Sequence, residues 1–196
     1  MPLAQYRQFF MAQIAPDRNA VLHSATLHSD GYMLVRAVTH VRTTRALTQP
    51  ARLARTGGDY RSERQVQDIF GGSQWGKTLR RRMLDPLFYA QDLVEWRNHQ
   101  AGLDMRSLAT TTADGSIHAL QEYFVPMAAL ERFAGALRTI LRRHAVNAIN
   151  VSIRHAHKDP GTLLAWARTD VFAFVLYYRR ERRPASATPC AAGPVN

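Results

Sequence analysis

One cysteine, two lysines and no long apolar run are what this chain of 196 residues has least of. Cys190 stands alone in a Pro/Ala-rich tail, so neither a disulfide framework nor a cysteine metal site is available. No apolar run approaches the roughly 20 residues that a membrane helix needs. The opening stretch, MPLAQYRQFFMAQIAPD, has no basic flank, uninterrupted apolar core or small-residue cleavage site, so it does not read as a signal peptide. A cytoplasmic protein with no membrane partner is the expectation. Hydrophobic residues at 46% and charged residues at 21% allow a real core and exclude a wholly disordered chain.

The net charge of +11 is unevenly placed. Residues 36–82 hold eleven basic and three acidic side chains, and residues 179–196 hold four Arg and one Glu, which accounts for the whole excess. Such a segment suits a nucleic acid or another polyanion, an anionic partner or a missing piece of the same protein, and charge alone does not choose among them. Lys77 and Lys158 are the two lysines, and the heavy use of Arg can also reflect genome composition.

Read for periodicity, Pro2–Ile14 is a short amphipathic helix, with Leu3, Tyr6, Phe10 and Ile14 at helical spacing. Ala20–His28 and Tyr32–Thr43 are rich in β-branched and aromatic residues, and Ser29-Asp30-Gly31 between them predicts an antiparallel hairpin. A loop-rich basic segment follows over 45–72, with a helix expected over Arg61–Phe70. Ser73 is placed to cap a helix running to about Met83. Leu87–Trp96 is ambiguous between helix and strand, and Ala101–Ser116 reads mostly as loop.

From Ile117 onward the local signals agree. Ile117–Val125 is a strand, and Pro126 opens a helix with Leu130, Phe133, Ala134, Leu137, Leu141 and His144 on one stripe. In the next strand Ile149, Val151 and Ile153 face one way and Asn150, Ser152 and Arg154 the other. Asp159 and Pro160 predict a short helix carrying Leu163, Leu164 and Trp166. Val171–Tyr178 is apolar on both faces, as in a central strand. The fold class expected is α+β: an antiparallel sheet with helices packed on one face, spanning residues 1–178, followed by a disordered tail over 179–196.

Gly71-Gly72-Ser73-Gln74-Trp75-Gly76-Lys77-Thr78 satisfies the G-x-x-x-x-G-K-[ST] phosphate-loop pattern. In a nucleotide-binding protein the glycines let backbone N–H groups cradle phosphates, while Lys reaches the β/γ oxygens and Thr holds Mg²⁺. A buried strand must precede that loop, and here the polar Ser62–Asp68 does so instead. A glycine break before a surface helix explains the pattern as well.

Glu122 and Arg154 are charged residues in mid-strand, where they must be exposed, paired or functional. Either they form a supporting ion pair on a wet face, or that face lines a ligand cavity with polar side chains at alternate positions. His118, His155 and His157 read individually as hydrogen-bonded structural groups. No two histidines share an i, i+4 spacing in a clear helix, so no metal is expected.

Leu120–Pro126, Asn147–His155, Asp159–Ala167 and Asp170–Tyr178 together resemble the C-terminal half of bacterial FAD-linked oxidoreductases. The resemblance lies in the vanillyl-alcohol-oxidase/PCMH superfamily, near the sugar-alcohol and aldonolactone oxidases. It extends more weakly upstream through the Ala20–Thr43 hairpin, Trp75-Gly76-Lys77 and Asp85-Pro86-Leu87. It implies a cap domain laying an antiparallel sheet over the isoalloxazine ring of FAD, which accepts hydride from an alcohol or lactone-type substrate. On that resemblance Arg154 and Glu122 are the catalytic candidates, and Asn150, Ser152 and His155 the substrate-binding ones. No Gly-rich flavin-pyrophosphate loop is present. The resemblance therefore implies a cap fragment, inactive by itself, whose partner is a separately encoded FAD-binding domain.

Overall fold

Val171–Arg180 (β5) lies inside the sheet, paired antiparallel along its whole length to Ile117–Pro126 (β3) on one side and Asn147–Ala156 (β4) on the other. With both edges hydrogen-bonded, both faces of β5 are free to be apolar, and Val171 to Phe174, Leu176 and Tyr177 are buried. The computed structural model from which this is drawn describes residues 1–29, 31–53, 73–86, 92–103 and 117–180. Its five strands run in the order β2-β1-β4-β5-β3, all antiparallel, where β1 is Ala20–Leu27 and β2 is Val35–Val41. The two hairpin strands predicted from the sequence are thus present, and they join the rest through Ala25 opposite Ile153 and Thr26 opposite Ser152.

Alternation fixes which residues reach the core. Ala25, Ile153, Phe174 and Tyr123 stand in one cross-strand row, and Leu27, Val151 and Leu176 lie on the same face. The helices cover that face. The first, α1 (Leu3–Phe9), continues as a π-helical turn over Phe10–Ile14. It inserts Tyr6 and Phe10 against Phe172, with ring centroids 5.5 and 5.3 Å apart. A 3-10 turn over Met127–Ala129 leads into α4 (Leu130–Arg143), which buries Leu130, Ala134, Leu137 and Leu141. Each large side chain so buried contributes about 1.5–3 kcal/mol. The fold is α+β, an antiparallel sheet with helices packed on one face.

Between α1 and α4 in the chain come α2 (Gln74–Leu79, passing into a π turn over Arg80–Leu84) and α3 (Arg97–Leu103). Ser73 caps α2 as predicted, its Oγ accepting the Gly76 N–H at 3.0 Å. Extended residues 92–96 pin the 45–53 loop: Val94 exchanges hydrogen bonds with Thr48, and the Trp96 indole donates to the Pro50 carbonyl.

Five local expectations change. Arg179 and Arg180, expected in the disordered tail, are instead the paired end of β5, opposite His118 and Ile117. His144 does not extend the buried stripe of α4; it is the exposed C-cap. The chain leaves the helix there through Ala145 at φ 47°, with the Val146 N–H donating to the Leu141 carbonyl and the Ala145 N–H to the Arg142 carbonyl. Ile149 does not hold a paired core position, because a bulge between Ala148 and Asn150 seats Ala148 there instead. Residues 157–170 form turns rather than a helix. Asp159 accepts the Gly161 and Thr162 N–H groups and so closes a local Asx-type turn, while Leu163 and Leu164 stand 105% and 89% exposed. Residues 97–103, not foreseen as helix, form α3. The helix expected over Arg61–Phe70, the hairpin's Asp30, the glycines 71 and 72 and the tail from 181 lie outside the described residues. Among the described residues no helix is long and apolar enough to cross a membrane.

Candidate functional site

The face of the sheet opposite α1 and α4 is built from three cross-strand rows. Arg154, Ala173 and Phe124 form the first, Ser152, Val175 and Glu122 the second, and Asn150, Tyr177 and Leu120 the third. Four of the five candidates from sequence, Glu122, Asn150, Ser152 and Arg154, therefore share one face. Glu122, Asn150 and Arg154 are exposed and Ser152 is half-buried. Small apolar Ala173 and Val175 form a floor between the charged side chains. With strands about 4.8 Å apart, the backbones of Glu122 and Arg154 are roughly 10 Å or more from each other. No ion pair links these two among the described residues. Trp166, from the loop between β4 and β5, packs on Phe124 with the rings tilted and their centroids 5.3 Å apart, at one end of the face.

The fifth candidate, His155, points to the other face. Its ring packs against Phe10 at 4.8 Å and Phe172 at 6.2 Å. On that face His23 accepts or donates to Tyr6 Oη at 3.1 Å and Thr39 Oγ1 at 2.7 Å, which fixes both ring nitrogens. Burial, reinforced by His155, lowers the proton affinity of His23. Burial and the neighbouring His157 lower that of His155, with Asp170 opposing.

At the mouth of this region His155, His157 and Asp170 bring one ligand-type atom each to within 4.8 Å of one another. His155 Nε2 is 3.7 Å and His157 Nδ1 3.5 Å from Asp170 Oδ2. The other carboxylate oxygen, Oδ1, accepts the Lys158 N–H at 2.9 Å, and this bond is the main reason the carboxyl sits below the ordinary carboxylate range. Sequence reasoning passed over His157 and Asp170 because it looked for metal-type spacing on helices. On a strand the same-face interval is two residues, and His155-Ala156-His157 at the end of β4 carries it.

The phosphate-loop lysine has a different employment. Lys77 Nζ donates to Asn147 Oδ1 at 2.8 Å and to the Ala148 carbonyl at 2.9 Å, so its ammonium holds α2 to the bulged start of β4. Nearby, Arg36 pairs with the buried Asp85, and both line a cavity of about 300 Å³ bounded also by Met1, His28, Leu34 and Arg81. That cavity includes none of the five candidate residues.

No family model, curated protein or solved structure matches the chain.

Proposed function

We propose that the face of the sheet opposite α1 and α4 is the substrate-facing wall of an FAD-dependent oxidoreductase acting on an alcohol or lactone-type substrate. The observation that carries this reading is the set of three rows. Every polar side chain of mid-β4, together with Glu122, stands on the face that α1 and α4 leave uncovered, around a floor of Ala173 and Val175.

The residues on this face suit the ring end of a flavin and the substrate beside it. A guanidinium at the edge of this face stabilises negative charge on a ring or on a substrate oxygen. A bound flavin would supply the hydride acceptor. Arg154 holds the substrate oxygen, and Glu122 orients a hydroxyl and takes its proton. Asn150 and Ser152 donate or accept from the remaining polar groups of the substrate. The pyrophosphate end of the cofactor needs backbone N–H groups of a glycine-rich loop, and on this reading a separate flavin-binding domain provides them.

The test uses the complex of this chain with a flavoprotein encoded next to its gene, presented anaerobically with a panel of sugar alcohols and aldonolactones. Substrate-dependent bleaching of the flavin is expected, slowed roughly a hundredfold by Arg154→Ala, the scale of losing one preorganised charge-stabilising donor. Absence of complex formation, or bleaching that Arg154→Ala and Glu122→Gln leave unchanged, would overturn the assignment. The chain alone should purify colourless.

A further inference from the structure

We propose that His155, His157 and Asp170 bind a divalent transition-metal ion of the zinc class, tying β4 to β5 at the root of the 157–170 loop. The site stands on its own geometry and is independent of the flavin reading.

The sheet register is what assembles it. The last paired residues of the two strands are Ala156 with Val171, and His155 lies opposite Phe172. One step further along the same register, His157 comes opposite Asp170, and alternation puts His155, His157 and Asp170 on the same face. The distances are those of ligands around an ion, not of partners in a hydrogen bond. At 3.7 and 3.5 Å, the two contacts to Asp170 Oδ2 exceed the 2.7–3.2 Å of an N–H···O bond. Donor atoms bonded at about 2.0–2.1 Å to one tetrahedral ion stand about 3.4 Å apart. The widest gap in the trio, at most 4.8 Å, has to close by about 1.4 Å or less. The His157 side chain, 82% exposed, can make that move without disturbing the core.

The surroundings orient the ligands. The Lys158 N–H holds Asp170 Oδ1 and leaves Oδ2 directed at both imidazoles. Phe10 and Phe172 fix the plane of His155. Two imidazoles and one carboxylate form a borderline nitrogen/oxygen set, which favours Zn²⁺, Co²⁺ or Ni²⁺ over Mg²⁺ and Ca²⁺. Three protein ligands leave one tetrahedral position for water.

The test is a Co²⁺ titration of the untagged, chelator-stripped full chain, followed by displacement with Zn²⁺. One equivalent of Co²⁺ is expected to bind with the visible ligand-field bands of a four- or five-coordinate ion, and Zn²⁺ is expected to abolish them. Changes in outer-shell groups alone weaken metal sites 10–100-fold, so His157→Ala and Asp170→Asn should each weaken binding roughly a hundredfold or more. His157 is exposed, so its variant keeps the fold, and a thermal melt confirms this: Zn²⁺ raises Tm for the parent and not for His157→Ala. His144→Ala, at an exposed helix end, serves as the control and should bind as the parent does. Binding that fails to saturate at one equivalent, or that survives His157→Ala, would overturn the site.

Discussion

The Lys77 ammonium lies 2.8 Å from Asn147 Oδ1 and 2.9 Å from the Ala148 carbonyl oxygen, fastening α2 to the sheet at the β4 bulge. A charge-assisted hydrogen bond of this kind is worth about 1.5–3 kcal/mol. Lys77→Met should therefore lower the urea midpoint by the equivalent of about 1–2 kcal/mol, after discounting for partial exposure. ATP or GTP with Mg²⁺ should leave the midpoint of the parent chain where it is. A nucleotide-dependent rise would restore the phosphate-loop reading.

Ala145 adopts φ 47° at the C′ position of α4, a conformation in which a Cβ is unfavourable. Ala145→Gly should stabilise the protein by about 0.5–1 kcal/mol, read as a rise of a few degrees in Tm. An unchanged or lowered Tm would mean that the strain at this turn is relieved in some other way.

Arg36 and Asp85 form an ion pair in which the side chains are 22% and 11% exposed, with Arg80 Nε 3.6 Å from the same carboxylate. Removing one member strands a desolvated charge. Asp85→Ala should cost about 2–4 kcal/mol, whereas Arg36→Met with Asp85→Leu together should cost clearly less than the sum of the single changes. A double-mutant cycle by chemical denaturation reads the difference.

His23 and His155 both have their proton affinity lowered, chiefly by burial, below the ordinary value of 6.5. Below that value the unfolded chain takes up protons that the folded chain resists, so stability rises with pH through this window and falls on acidification. Denaturation of the metal-free chain should show a midpoint that declines as pH drops below about 6.5. His23→Gln should flatten that decline. A midpoint constant across the window would mean that neither ring is held neutral by the fold.

The sheet was legible because the alternation of Asn147–His155 and the doubly apolar Val171–Tyr178 each permit one arrangement: the first a half-buried strand, the second an interior one. The open face followed from the same alternation, since whatever side Val151 and Ile153 bury, Asn150, Ser152 and Arg154 must occupy the other. The rest depended on contacts between distant segments. Nothing local announces that Lys77 serves Asn147, and the Leu163–Trp166 stretch looks helical until Asp159 commits its carboxylate to the turn. His155 was grouped with Arg154 on the family resemblance, yet adjacent residues of a strand point to opposite faces. The partner of His157 is set by cross-strand register, which a linear reading does not contain.

The strand order has a bearing on how the chain is made. β1 emerges early, but its sheet partners Ser152 and Ile153 come more than a hundred residues later, a wait on the order of ten seconds at ordinary translation speeds. β3 waits as well, because its neighbour β5 is the last of the described strands to be synthesised and slots between two that precede it. Until Val171–Arg180 clears the ribosome, both halves of the sheet carry an open edge. Val171–Arg180 then joins the two halves by pairing with β4 on one side and β3 on the other.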